Sequence, residues 1–144
     1  MNVREYYAAL QAIIRDYPFV IHRNMEFDEI DLYVGYSKGM LEFMDGSTLR
    51  FIEFVETHEV EEVKRLKYKY HLQSETGDLI ARWDNVPHHR DTSSFPHHKH
   101  DKNGVHPSEP ADLKSVLDEI IEHVQYHVDI EPQDWHRNRN YSGT

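Results

Sequence analysis

The 144-residue sequence contains no cysteine. That excludes disulfide cross-links, thiolate zinc sites and a cysteine nucleophile. No apolar run approaches the roughly 20 residues that a membrane-spanning helix needs. The opening "MNVREYYAAL" puts charged and aromatic residues where a signal peptide requires a continuous apolar stretch, so a cytoplasmic protein without membrane contact is expected. Positive charge is scarce as well: 16 Lys and Arg stand against 26 Asp and Glu, a formal net charge of −10. Such a balance argues against a general nucleic-acid binder. What the chain does hold is apolar material, 38% hydrophobic and 12% aromatic, enough at this length for one core.

The charge is unevenly spread. Residues 1–63 sum to −8 and residues 103–144 to −5, whereas residues 64–102 sum to +3 and carry six of the 12 histidines. A polyanion can dock on such a segment, because salt screens the remaining charge beyond about 8–10 Å.

Val3, Tyr6, Tyr7, Leu10, Ile13, Ile14 and Tyr17 recur at spacings of three and four, which predicts a helix closed by Pro18. Extended segments follow at 19–27, 29–44 (bent or bulged near Gly35 or Gly39), 48–56, 63–73 and 79–85. Asp45-Gly46 predicts a hairpin turn between the second and third. Strict alternation over 63–73 puts Leu66, Tyr68, Tyr70 and Leu72 on one face and Arg65, Lys67, Lys69 and His71 on the other. Ser108 or Asp112 is placed to cap a last helix whose apolar stripe runs from Leu113 to Val128. The expected fold is α+β and two-layered: an antiparallel meander of about five strands, with the N- and C-terminal helices packed on one face. It forms a single domain over residues 1–132, with 133–144 a flexible tail.

Between the last strand and the last helix lies "DNVPHHRDTSSFPHHKH", with five histidines in residues 84–100. Its imidazoles, with Asp84 and Asp91, are enough for a divalent ion, but the spacing matches no zinc signature and no metal or other cofactor is assigned. Acid–base chemistry fits the mixture better, since histidine takes or gives a proton near neutral pH. His97, His98 and His100 are the candidate proton-transfer groups, and Arg82 and Lys99 the candidate charge stabilisers. Asp84 is placed to orient an imidazole. His71, Lys67 and Lys69 on the basic row, with His88 and His89, are candidate binding residues. Glu53, amid Leu49, Phe51 and Val55, reads as a structural partner for Arg82 or a tyrosine hydroxyl. A solvated loop without chemistry is the competing reading.

The blocks "MDGSTLRFIEFVE", "YKYHLQSETGDLIARWDNVPHH", "FPHHKH" and "LDEIIEHV" resemble, in that order over about residues 20–125, the TumE family of small toxin-like proteins. The resemblance implies the toxin of a prokaryotic type II toxin–antitoxin module, partnered by a small helix-turn-helix antitoxin. It also implies growth inhibition, with RNA cleavage as a route. Combined with the histidine chemistry, the expectation is a metal-independent ribonuclease. Non-catalytic protein binding and a metalloprotein are the alternatives, and an exposed edge strand can pair two copies into a homodimer.

Overall fold

The computed structural model describes residues 1–60, 62–87 and 94–129, with side chains described as far as 124. Helix α1 (Val3–Arg15) starts at a capping box in which the Asn2 side chain accepts from the Glu5 amide and Glu5 reaches back to the Asn2 amide. Six strands follow in β1 (Val20–Glu29), β2 (Val34–Phe43), β3 (Thr48–Thr57), β4 (Val63–Gln73), β5 (Leu79–Asp84) and β6 (His98–Asp101), then a seventh, β7 (Gly104–Pro107), and helix α2 (Leu113–Asp129). All seven pair with their chain neighbours in one antiparallel sheet, ordered β1 to β7. The class is α+β, but the expected five strands fall short by two. β6 and β7 escape a hydrophobic pattern because His98–Asp101 has no apolar residue. The two-residue turn Lys102-Asn103 joins them and leads into Gly104 at φ +118°, and an Asn-Gly pair is a hairpin signal. A bulge near Gly35 or Gly39, one of the two irregularities expected in the second extended segment, is absent. The chain turns at residues 30–33, and β2 pairs regularly through Gly35 and Gly39. At Gly39 a Cβ would lie 2.4 Å from the Phe51 ring, so glycine there admits close packing.

Residues paired across an antiparallel ladder share a face. One face carries the row Gly39, Phe51, Tyr70, Trp83 and Lys99, the middle three nearly fully buried. They belong to the same buried cluster as Tyr6, Leu10 and Ile14 of α1 and Leu113, Val116, Leu117, Ile120 and Val124 of α2. Asp112 caps α2 by accepting from the Ser115 amide at 2.7 Å, one of the two caps expected. The opposite face carries two parallel rows. The first runs Lys38, Ile52, Lys69, Asp84, His98, and the second Arg50, His71, Arg82, His100.

One local irregularity corrects the alternation read in β4. A register shift falls between Phe54 and Val55, which pair with Lys67 and Arg65 and leave Leu66 as the extra residue. Leu66 is consequently 46% exposed, and Arg65 turns to the helix side opposite fully buried Val55. The expected basic row therefore loses Arg65. The boundary at residue 132, the tail, His88, His89 and Asp91 lie outside the described residues.

Candidate functional site

The second half of β5 and all of β6 position the site. Their register sets Asp84 opposite His98 and Arg82 opposite His100. Asp84 and His98 are both 2% exposed. The Asp84 carboxylate faces His98 Nε2 at 2.7 Å and His100 Nε2 at 3.8 Å, and accepts from Arg82 Nε at 3.0 Å and the Val86 amide at 3.1 Å. His98 Nδ1 lies 2.8 Å from the Pro96 carbonyl, which fixes the ring with Nε2 towards Asp84. The His98 and His100 rings meet edge to face, their centroids 4.7 Å apart. His100 and Arg82 keep 16% and 30% of their side chains exposed, so solvent reaches the cluster through them.

The cluster continues directly into a cationic groove. Arg82 is paired across the ladder with His71 on its other side, and His71 with Arg50. Lys38, Arg50, Ile52, Lys69 and His71 line an open cavity of about 460 Å³ on this face. Lys38, Arg50, Lys67 and Lys69 have no carboxylate within ion-pair distance among the described residues. Burial holds the His71 pKa below the ordinary imidazole value, reinforced by Lys69, Arg82 and Arg50, and keeps the ring neutral near pH 7.

The structure divides the residues singled out from the sequence. Arg82, Asp84, His98, His100, His71, Lys67 and Lys69 share the open face. Lys99 points the other way, its ammonium 5.1 Å above the Trp83 ring and 3.1 Å from Glu119 of α2. His97 also leaves the cluster. It stacks on Tyr68 and faces that hydroxyl at 2.8 Å, while Tyr68 accepts from the Ala111 amide at 3.2 Å. Burial together with Arg65 lowers the His97 pKa. Residues missed by the sequence reading are Arg50 and Lys38. Their signal was present: counting outward from the Asp45-Gly46 turn places Arg50 on the open face.

Glu53 is structural, in agreement with its apolar neighbours. Fully buried, it accepts from Tyr6 at 2.7 and 2.8 Å, Tyr70 at 3.0 Å and Ser37 at 3.3 Å. Burial raises its pKa against the pull of those hydroxyls and of Arg65. Its hydrogen-bond partners are two tyrosine hydroxyls and the Ser37 hydroxyl, and not Arg82.

No helix among the described residues is long and apolar enough to cross a membrane. Neither a curated protein nor a solved structure gives a significant match. The family model described as toxin TumE matches residues 10–127, which span the whole sheet, the cluster and most of α2. The chain belongs to the TumE toxin family.

Proposed function

We propose that this protein is the toxin of a type II toxin–antitoxin module and that it cleaves RNA on the open face of its sheet without a metal ion. The observation that carries this reading is the row His71, Arg82, His100: a guanidinium flanked on neighbouring strands by two imidazoles. Strands about 4.8 Å apart put the two histidine backbones roughly 10 Å from each other, a span that brackets a phosphodiester held on Arg82. Neutral His71 takes the proton from a 2′-hydroxyl, whose oxygen attacks phosphorus. Arg82 meets the charge on the phosphoryl oxygens. His100 donates a proton to the departing 5′-oxygen, leaving a 2′,3′-cyclic phosphate. Asp84 and buried His98 hold Arg82 and His100 in place. The groove at Lys38, Arg50 and Lys69 carries the neighbouring phosphates, and its Ile52 floor suits a base.

Membership of a toxin family suggests an antitoxin partner, and we take that partner to be a small helix-turn-helix protein. β1 and β7 lie at the two ends of the sheet order, and the outer edge of β1, 10 residues long against 4, is the one where two copies would pair. The test of the enzymatic reading is incubation of purified protein with RNA in EDTA. Cleavage that yields cyclic phosphate ends and is lost in His71→Ala and His100→Ala supports it. Intact RNA at high protein concentration, with toxicity in cells retained, favours non-catalytic binding and overturns it.

A further inference from the structure

We propose that Asp84, His98 and His100 form a binding site for a divalent first-row transition ion. One ligand atom from each, a carboxylate oxygen and two ring nitrogens, lies within 4.8 Å of the others. All three stand on adjacent strands of one ladder, so the backbone fixes their spacing.

The orientation of the His98 ring supplies a second observation. Its Nδ1 faces the Pro96 carbonyl at 2.8 Å and its Nε2 faces Asp84 at 2.7 Å. The carbonyl can only accept, so Nδ1 carries the hydrogen and Nε2 is the nitrogen turned towards Asp84. An ion on Nε2 needs Asp84 and His98 to move a few tenths of an ångström apart from their present hydrogen-bond distance, and His100 then completes the set. An imidazole whose far N–H is held by a backbone carbonyl is the usual setting of a metal-binding histidine. Arg82 and the Val86 amide hold the same carboxylate from outside, a further orienting shell.

Two imidazoles and one carboxylate suit Zn²⁺, Co²⁺, Ni²⁺ or Fe²⁺ and discriminate against Mg²⁺ and Ca²⁺, which prefer all-oxygen shells. Burial of Asp84 and His98 closes one side, and the partly exposed His100 leaves the other open to solvent or a ligand. The site excludes His97 and Lys99, although they stand in the same "HHKH" block.

The test uses tag-free full-length protein, stripped with chelator and titrated with Zn²⁺ by calorimetry and with Co²⁺ by visible absorption. One ion per chain is expected, with a Co²⁺ spectrum showing nitrogen ligation. His100→Ala and Asp84→Asn are expected to weaken binding by about tenfold or more, and His97→Ala to leave it unchanged. Circular dichroism on each variant separates lost ligation from lost fold. Absence of one-to-one binding, or binding that survives both His100→Ala and Asp84→Asn in folded protein, overturns the site. Binding is the readout, so the outcome does not depend on whether the chain cleaves RNA. Zn²⁺ that slows RNA cleavage by occupying His100 agrees with both proposals. An RNase that fails in EDTA and is restored by Zn²⁺ overturns the metal-free reaction and supports the ion site.

Discussion

His98 and Lys99 are neighbours in the chain and stand on opposite faces of the sheet. His98 meets Asp84 on the open face, whereas Lys99 lies over Trp83 and pairs with Glu119 of α2. The two-residue period of β6 makes this separation unavoidable. It follows that the "HHKH" block is not one functional unit. His100→Ala is expected to lower RNA cleavage by about 10²–10⁴, the usual contribution of a positioned acid or base. Lys99→Met should leave cleavage within a few-fold of wild type and cost only a fraction of a kcal/mol in stability, as exposed ion pairs do. Initial-rate assays beside urea denaturation check both. A Lys99→Met loss as large as that of His100→Ala would contradict the division.

The groove makes a separate prediction, about binding and not chemistry. Lys38, Arg50 and Lys69 face solvent on one side of the sheet with no nearby carboxylate among the described residues. Cations that contact phosphates release counterions, so each one removed lowers the slope of log affinity against log salt by about 0.7 for single-stranded RNA. Arg50→Ala and Lys69→Ala should each flatten that slope in fluorescence anisotropy titrations over increasing KCl. Lys114→Ala, on α2 and paired with Asp118, should not. Equal slopes for all three variants would remove the groove from the RNA-binding surface.

How much of this was legible in the sequence depends on the kind of signal each residue left. The stripe in residues 3–14 and the alternation in Leu49, Phe51, Glu53 and Val55 are repeated patterns, and both elements and their buried faces follow from them. Arg65 defeated the same reasoning because one unpaired residue, Leu66, reverses everything before it in the strand. Nothing in "VKRLKYKYHLQ" marks the bulge, since either phase leaves a plausible face. β6 was hidden for a different reason. Its stability comes from ladder bonds and from polar pairs such as Asp84–His98, and a hydrophobic pattern does not register those. The candidate site was half visible: residue types pointed to the histidines, but only register shows that His71, Arg82 and His100 form a row.

Glu53 gives stability a pH dependence whose sign is fixed. Burial holds its pKa in the folded protein above the ordinary 4.5. The folded state therefore keeps a proton that the unfolded chain releases first, and stability falls as pH rises from about 4.5 through the raised value. Above that it levels off. Tyr6 and Tyr70 stay protonated, their own pKa values driven upward by burial and by Glu53. Glu53→Gln has no such proton to lose. Urea midpoints measured from pH 4 to 8 should decline in wild type relative to Glu53→Gln, and parallel profiles would show that Glu53 is not the group responsible.

Tyr68 separates stability from the proposed chemistry. Its hydroxyl joins three segments: β4 itself, His97 at the start of the β6 hairpin, and Ala111 at the entrance to α2. It is 3% exposed, so water does not replace it readily. Tyr68→Phe keeps the ring that packs on Tyr70 and His97 but leaves the Ala111 amide and His97 Nδ1 without that partner. Stranding a buried donor or acceptor costs about 1–3 kcal/mol. None of these groups lies on the open face, where His71, Arg82 and His100 sit. Urea denaturation should therefore show that loss, hydrogen exchange at Ala111 should accelerate, and RNA cleavage per folded molecule should stay within a few-fold of wild type. Full stability in Tyr68→Phe would show that the hydroxyl does not tie these segments together. Lost cleavage in a folded variant would move the reaction to the helix side of the sheet, with His97 as its base.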